Sequence, residues 1–335
     1  MLRLLKQESD RTRSILLLGP LLTVSAIVAL SASCSNQHSQ TATVAIQQTS
    51  YASPAAAGAA LFEAAKTGDQ NELMAVFGPE GRDILFSGDA VKDRDAMQRF
   101  VKAYTQMNRW SPRSSGDEIL CIGADNFPFP VPLARNASGQ WVFNTAGGKD
   151  EILARRIGDG ELTAIGVLTE VVEAQHEYFD RARQFAQKFV SDPGQHNGLY
   201  WPAEEGQRAS PLGRLAEEAR ALGYSESDKP QPFNGYYYKI LTQQGDAAKG
   251  GAKDYERDGK LTQGFALVAW PAKYRDSGIT TFLVAKDGRI YQKDLGENTM
   301  QQAGAMTTYN PDAGWTVVLT PDSPGARRSS PTTKS

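Results

Sequence analysis

Histidine, the side chain best suited to acid–base chemistry near neutral pH, occurs at only three positions: His38, His176 and His196. His176 lies four residues after Val172 and three before Phe179, so helical spacing places it on or beside an apolar stripe. Two interpretations follow: a packed histidine that is hydrogen-bonded to a neighbour, or a general base in a pocket. Because His38 precedes the folded region, a site built on three folded histidines is excluded, and we predict no metal and no cofactor.

Two further stretches carry a charged side chain beside a turn. Asp125 shortly precedes residues 127–130, Phe-Pro-Phe-Pro, so its carboxylate could act as a base in a pocket lined by rigid aromatic rings. A turn leading into an edge strand is the alternative, because proline cannot donate to a strand ladder. Lys149 follows a Gly-Gly pair before a predicted helix, where free backbone N–H groups favour an anion. The spacing does not match a phosphate-binding loop, so an ordinary helix start stays open as well.

Aromatic side chains gather in the second half of the chain. Tyr236 and Tyr238 share one face of a predicted strand, and Trp201 and Trp270 each precede a proline. Exposed rings of this kind stack on sugars or peptides, which makes these four residues candidates for ligand binding. The alternative, which we favour, is that they fill the seam between the two halves of the protein. No serine has the surroundings of a nucleophile elbow, and no motif specifies a reaction.

The charge of the chain excludes one class of partner. Its 36 Lys and Arg residues against 38 Asp and Glu residues give a formal net charge of −2. No basic stripe follows any predicted element, so nucleic acid is not predicted as a partner. With 335 residues, 40% of them hydrophobic, the chain is long enough for two domains of ordinary size.

The first 33 residues have the layout of an export signal. Basic residues, among them Arg3 and Arg13, precede an apolar run over residues 15–30, and small residues then lead to Cys34. As a helix the apolar run would span about 24 Å, which is short of the roughly 30 Å hydrocarbon core of a bilayer. We therefore predict a signal peptide over residues 1–33 and an exported protein.

Cys34 resembles the lipid-attachment cysteine of a bacterial lipoprotein. Ser31 stands where such signals carry a branched apolar residue, and the same bond also suits ordinary signal peptidase. Lipidation is the favoured interpretation, while plain secretion and an uncleaved anchor stay open. The resemblance implies that the membrane is a partner through a lipid on Cys34. By the sorting pattern of such lipoproteins, Ser35 then implies the outer membrane on its periplasmic side.

The other cysteine, Cys121, lies in the apolar run 119–122, which predicts a strand. An unpaired thiol in an exported protein is normally buried, so we expect Cys121 to pack in a core. No disulfide is then available, and hydrophobic burial must stabilise the fold.

The distribution of apolar residues divides the remainder of the chain. We predict a disordered tether over residues 34–58, a helix-rich α+β half over 59–195, an antiparallel β-rich half over 196–320 and a disordered tail over 321–335. Gly147 and Gly148 break the pattern before the long helix, which is itself interrupted near 158–160. In the first half the predicted helices cover residues 59–66, 69–77, 93–108 and 161–190, and the predicted strands cover 119–122, 131–134 and 140–144.

The second half predicts a different pattern. A short helix over 212–222 precedes apolar runs of strand length, and no crossover helix separates these runs, so antiparallel pairing follows. Residues 245–260 are polar and predict an exposed loop. The predicted strands cover 236–242, 265–270, 280–285, 289–293 and 315–319. The fold class is α+β: a helical half with a β-hairpin and a long helix, then a mainly antiparallel β half.

The second half contains four distinctive phrases: Gly-Leu-Tyr-Trp-Pro at 198–202, Gly-Tyr-Tyr-Tyr-Lys at 235–239, Gly-Phe-Ala-Leu-Val-Ala-Trp-Pro at 264–271 and Tyr-Gln-Lys-Asp-Leu-Gly at 291–296. With these phrases the chain resembles an uncharacterised bacterial family, domain of unknown function 2950. The resemblance covers roughly residues 58–320 and implies an exported, lipoprotein-like protein with no assigned activity.

Two functions of different kinds fit this sequence. The first is a non-enzymatic envelope module that binds a peptide, glycan or protein partner through the aromatic surface of the second half. The second is a small-molecule-binding protein or enzyme with a pocket in the N-terminal half, where His176 or Asp125 would act as base. An apolar cavity reached by a titratable side chain would favour the second function, and an exposed aromatic patch would favour the first.

Overall fold

The computed structural model describes residues 47–203, 206, 208–224 and 231–319. The signal peptide, Cys34 and the tail 321–335 lie outside these residues. Within them the helices are α1 (Pro54–Thr67), α2 (Gln70–Phe77), α3 (Gly81–Leu85), α4 (Ala90–Gln106), α5 (Thr145–Ala182), α6 (Gly213–Ala221) and α7 (Thr299–Ala305).

The strands are short and fall into two main groups, one before and one after α5. They are β1 (Asn108–Pro112), β2 (Glu118–Ile122), β3 (Phe127–Pro128), β4 (Leu133–Arg135), β5 (Trp141–Phe143), β6 (Tyr236–Leu241), β7 (Gln243–Gln244), β8 (Lys253–Asp254), β9 (Glu256–Arg257), β10 (Lys260–Leu261), β11 (Ala266–Pro271), β12 (Thr280–Ala285), β13 (Ile290–Asp294), β14 (Thr308–Tyr309) and β15 (Thr316–Val317).

Helix α2 begins at a polar cap, as the sequence predicts. The carboxylate of Asp69 accepts hydrogen bonds from the backbone N–H groups of Asn71 and Glu72 at 2.8 and 3.0 Å, so α2 begins where the capping pattern places it. Gly68, at φ 69°, ends α1 before it. Helix α4 begins three residues earlier than predicted, because Asp89 supplies its cap.

The predicted tether extends too far along the chain. Tyr51 exchanges two backbone hydrogen bonds of 2.8 Å with Trp141 at the edge of β5, and α1 already begins at Pro54. Ala57 on this first turn is fully buried. Residues 47–58 contain few large apolar side chains, so the sequence did not predict that α1 begins here. Its buried contacts in this stretch are made by alanine and glycine.

The first sheet confirms the predicted hairpin. Strands β4 and β5 pair antiparallel with Leu133 opposite Phe143, and the side chain of Asn136 accepts hydrogen bonds from the turn that joins them. The strand order is β1-β2-β4-β5, with β3 also pairing with β2. Helices α1, α2 and α4 pack beside this sheet and form a core with it through residues such as Leu61 and Leu73.

Helix α5 differs from the prediction in its length and continuity. It runs unbroken through the glycines at 147–148 and 158–160 and ends at Arg183, which adopts a left-handed φ of 55°. A Cβ atom at Gly148 would lie 2.7 Å from the Cα of Val131, and one at Gly160 would overlap the carbonyl oxygen of Ser277. These glycines therefore allow the helix to approach neighbouring backbone, and they do not break it.

The helix predicted over 161–190 ends at Ala182, and its apolar residues differ in burial. Leu168 and Val172 are buried, whereas Leu162 is 72% exposed. Ala186 and Phe189 are buried beyond the end of the helix, where the side chain of Gln175 holds Ala186 through two hydrogen bonds of 2.8 Å.

The second main sheet is antiparallel, as predicted, in the order β15-β13-β12-β11-β6. Strand β11 is buried along its whole length between β6 and β12. The last predicted strand is shorter than expected, at Thr316–Val317. The predicted loop 245–260 instead contains the two-residue strands β8 and β9, the first residue of β10 and a buried Tyr255. Each of these polar strands is only two residues long, which is too short to show an apolar periodicity in the sequence.

Helix α5 connects two hydrophobic cores. Ile152 packs against the core of the N-terminal helices, and the stretch that contains Leu168 belongs to the core of the second sheet. Between these two stretches, Glu161 accepts hydrogen bonds from the backbone N–H groups of Ile279 and Thr280, each at 3.0 Å. The fold is therefore an α+β arrangement in which one long helix serves both groups of elements.

A second connection is the carboxylate of Asp89, which is 2% exposed. It caps α4 through the backbone N–H groups of Val91 and Lys92 at 3.1 and 3.0 Å. It also accepts a 2.6 Å hydrogen bond from the hydroxyl of Tyr224 and a 3.0 Å bond from the N–H of Gly235. One buried side chain thus holds the start of α4 against the second half of the chain.

We expect Asp89→Ala to lower the free energy of unfolding by about 3 kcal/mol or more, because it leaves buried donors on both halves unpaired. The matched control is Asp69→Ala, which removes an exposed cap with two similar bonds and should cost about 1 kcal/mol. Urea denaturation followed by circular dichroism measures both. Equal losses for the two variants would show that the bonds to Tyr224 and Gly235 add nothing.

Candidate functional site

A cavity of about 350 Å³ lies among the helices of the N-terminal half. Its apolar wall is built from the faces that α1, α2 and α4 turn toward the first sheet, together with the chain after β3. The main apolar side chains of this wall are Leu61, Leu73, Phe77, Met97, Phe100 and Phe129.

The ring of Phe129 is held in this wall by other aromatic rings. Its centroid lies 5.4 Å from that of Phe100, 6.4 Å from that of Phe77 and 6.4 Å from that of Phe143. The neighbouring Pro128 belongs to the two-residue strand β3, where its missing N–H is tolerated. The Phe-Pro-Phe-Pro segment therefore serves to place one aromatic ring against the cavity.

The polar part of the lining comes from the first turn of α4 and from one stretch of α5. Lys92 and Asp93 belong to α4, while Arg156 and Asp159 belong to α5. The ammonium group of Lys92 lies 2.8 Å from the carboxylate of Asp159, so these two stretches face each other. Arg99 and Arg155 complete the charged lining.

Arg156 joins the cavity to both halves of the protein. Its guanidinium donates to the carbonyl oxygens of Asp83 and Ile84, both within α3, and forms an ion pair with Asp276. Both charged side chains of this pair are nearly buried, at 13% and 5% exposure. A planar guanidinium with five N–H donors suits this position because several acceptors surround it.

Asp93 is a partly buried carboxyl group in the lining. Its carboxylate accepts hydrogen bonds from Ser87, at 3.0 Å from the backbone N–H and at 2.6 Å from the hydroxyl. Burial raises the pKa of Asp93, while the bonds from Ser87 and the positive charge of Arg156 oppose that rise. The apolar wall, together with this carboxyl group, matches the general description of a small-molecule site.

The candidate bases named from the sequence do not line this cavity. His176 is exposed on α5, where its Nε2 lies 2.9 Å from the carbonyl oxygen of Lys286 and its ring meets Phe185 and Phe265 edge-on. Asp125 is exposed in the turn between β2 and β3. The structure therefore brings neither of them to the cavity or to the other.

Lys149 lies in the first turns of α5 and pairs with Asp83, at 2.6 Å between Nζ and Oδ2. This hydrogen bond lowers the pKa of Asp83 and raises that of Lys149. The ammonium group thus has a protein carboxylate as its partner at the place where the sequence suggests an anion.

The four candidate aromatic residues are buried. Tyr236 is fully buried and donates to the carbonyl oxygen of Thr280 at 3.0 Å. Tyr238 is 6% exposed, and its hydroxyl has no hydrogen-bond partner among the described residues. Trp270 and Trp201 are each 7% exposed. These positions match the interpretation that the rings fill the interior.

Trp201 also lines a second, smaller cavity of about 300 Å³. The loop 190–202 forms this cavity, and the ring of His196 stacks on Trp201 with 4.4 Å between centroids. Trp270 instead packs on Tyr237, with 5.7 Å between centroids, and its Nε1 lies 3.4 Å from the sulfur of Met300. The structure therefore does not bring the two tryptophans into one surface.

Some further expectations can be placed as well. Cys121 is buried as a free thiol in β2. Among the residues described, no three or more His, Cys, Asp or Glu side chains gather as metal ligands. No helix in the described ranges has both the length and the apolar character needed to cross a membrane.

The Phe-Pro-Phe-Pro segment was singled out from the sequence, and its Phe129 and Pro130 line the cavity, but the charged residues of the lining were not singled out. Lys92, Asp93, Arg155, Arg156 and Asp159 look like the solvated faces of two amphipathic helices. The available signal was the pairing of these charges with apolar stripes on both α4 and α5. Only the tertiary contact between the two helices shows that the charged faces meet at one cavity.

The fold and the cavity define the class of this protein: an α+β protein with an apolar, partly charged cavity among its N-terminal helices. The sequence profile of the family described as "Protein of unknown function (DUF2950)" matches residues 48–318. The chain therefore belongs to this family, as its phrases in the second half suggested. Neither the curated proteins nor the solved structures compared with the chain give a match.

The raised pKa of Asp93 predicts how the free energy of unfolding depends on pH. The folded protein holds this proton more tightly than the unfolded chain, so the carboxyl group destabilises the fold progressively as the pH rises above about 4. Asp93→Asn removes this titration. The free energy of unfolding of the unchanged protein should therefore fall relative to that of the variant between pH 4 and 7, as measured by urea denaturation at several pH values. A difference that is the same at every pH would contradict the burial of an ionisable group.

Proposed function

We propose that this protein binds a small, mainly apolar molecule in the cavity of its N-terminal half. The observation that carries the proposal is an apolar cavity of about 350 Å³ with buried charged groups on one part of its wall. This volume lies within the range of roughly 300–1,000 Å³ that small-molecule sites occupy. Large apolar side chains would remove the ligand from water, and the few polar groups would fix its orientation.

The burial of the aromatic residues favours this function over an aromatic docking surface. Trp201, Tyr236, Tyr238 and Trp270 are each less than a tenth exposed. A peptide, glycan or protein partner would reach them only after the second core had opened, whereas the cavity requires no such rearrangement. An envelope protein or glycan partner remains a separate hypothesis without a surface assigned to it.

The surroundings of the cavity support binding and do not support a particular reaction. Ser87 donates to both oxygens of Asp93 and holds this carboxylate in one orientation, so we assign it a positioning role and not that of a general base. His176 and Asp125 lie outside the lining. We therefore propose a binding protein.

We further propose that the protein is exported and anchored by a lipid on Cys34, in the outer membrane on its periplasmic side. The support is the basic, apolar and small-residue order of the first 33 residues. In this arrangement a tether would precede the first described residues, and the cavity would lie near the membrane surface.

Protein isolated from its native source should have the intact mass of residues 34–335 plus a lipid, because cleavage before Cys34 creates the acylated end. The matched variant is Cys34→Ser, which should leave the membrane fraction. A native product that still begins at Met1 would contradict export, and a cleaved product without added lipid would indicate plain secretion.

Filling the cavity tests the binding function. Ala96 lies exposed in α4 and lines the cavity, so Ala96→Phe would place a ring in it without replacing a buried side chain. We expect this variant to bind the neutral dye N-phenyl-1-naphthylamine at least about tenfold more weakly, equivalent to about 1.4 kcal/mol. Fluorescence titration measures the affinity, with an unchanged melting temperature as the check on folding.

The matched control is Gln98→Phe, an exposed position of the same helix outside the lining. It should leave dye binding unchanged. If the unchanged protein fails to bind the dye and a panel of small apolar compounds, the proposed function is wrong. Equal affinity in Ala96→Phe and Gln98→Phe would place the binding site elsewhere.

A further inference from the structure

Resting on this proposed function, we propose that the ligand is an amphipathic acid. Its apolar body would occupy the cavity, and its acidic group, a carboxylate or a phosphate, would be held by Arg99 and Arg155. Both arginines line the cavity, and their side chains are 63% and 36% exposed. They therefore stand where the cavity meets water, which is where the charged end of an amphipathic ligand would remain.

The inner charges of the cavity are already balanced within the protein. Lys92, which is 12% exposed, pairs with Asp159, and Arg156 pairs with the buried Asp276. The carboxylate of Asp93 is occupied by the hydrogen bonds described above. A ligand charge placed deep in the cavity would have to break one of these arrangements, at the cost of leaving a buried charge unpaired. The acidic group is therefore assigned to the opening.

The two arginines at the opening have weaker commitments. Arg99 pairs through Nη1 with Asp95, and Arg155 pairs through Nε with Glu151, both within one exposed helical turn. Such exposed pairs contribute little, because water and salt compete with them. A guanidinium has five N–H donors, so each arginine keeps donors for the oxygens of a ligand.

Arg155 is also held in place beside the cavity. Its Nη1 donates to the carbonyl oxygen of Pro128 at 3.3 Å, and its guanidinium carbon lies 4.7 Å from the centre of the Phe127 ring. That ring is 52% exposed, so an aromatic face and a cation stand together next to the opening. Stacking restricts the guanidinium plane and reduces the entropy that is lost when it binds an anion.

The opposite ligand, an amphipathic amine, has fewer available partners. The acidic residues of the lining are Asp93 and Asp159. Ser87 engages the first, and Lys92 engages the second. The lining itself carries four cationic side chains against these two carboxylates.

Four probes with the same ten-carbon chain separate the binding of the chain from the recognition of its end. They are decanol, decanoate, decyl phosphate and decylammonium, titrated by calorimetry at pH 8 and low salt. We expect decanoate or decyl phosphate to bind at least about tenfold more tightly than decanol, and decylammonium to bind more weakly than decanol. The relative affinities of the two acids distinguish a carboxylate ligand from a phosphate ligand.

The variant Arg99→Gln/Arg155→Gln should lose about tenfold in affinity for the preferred acid while its affinity for decanol stays within about twofold. The matched control is Lys102→Gln, which removes an exposed cation of α4 outside the lining and should change neither affinity. Equal affinity of the native protein for decanol and both acids would overturn this inference and leave the proposed function intact. Tightest binding of decylammonium would also overturn it. Binding of none of the four probes would contradict the proposed function itself.

Discussion

The carboxylate of Asp89 is the interaction on which the placement of the cavity depends. It caps α4 through Oδ1 and accepts hydrogen bonds through Oδ2 from Tyr224 and Gly235 in the second half of the chain. Helix α4 supplies much of the cavity wall. One buried side chain therefore fixes the position of that wall relative to the second half of the chain. Burial raises the pKa of the Tyr224 hydroxyl, and the nearby carboxylate of Asp89 raises it further. Tyr224 therefore acts as a fixed hydrogen-bond donor.

Local signals in the sequence were sufficient for most of the elements. The cap at Asp69, the apolar spacing of α4 and the turn at Asn136 each depend on neighbouring residues only. The structure has the cap and the turn where they were predicted, and α4 begins three residues earlier. Helix α5 was predicted less well, because Gly148 and Gly160 look like breaks when they are considered alone. In the structure Val131 and Ser277 lie directly against these two glycines and leave no room for a Cβ atom. These contacts join residues that are far apart in the sequence, and no local pattern reports them.

The cavity was harder to predict than the fold for a similar reason. The sequence indicated that a pocket in the N-terminal half was one of two possibilities, but it pointed to His176 and Asp125 as its chemistry. Reactive side-chain types attract notice in a sequence, whereas Asp93 and Arg156 matter because of where burial puts them. The aromatic residues of the second half gave the converse case. Their types suit ligand binding, and their burial in the second core gives them a packing role instead.

The lone buried thiol of Cys121 has a consequence for maturation. Because Cys121 is free within β2, the described part of the chain is held by packing and hydrogen bonds without a covalent cross-link. Reaching the final structure then calls for neither an oxidant nor a disulfide isomerase, and reductants should leave the folded body intact.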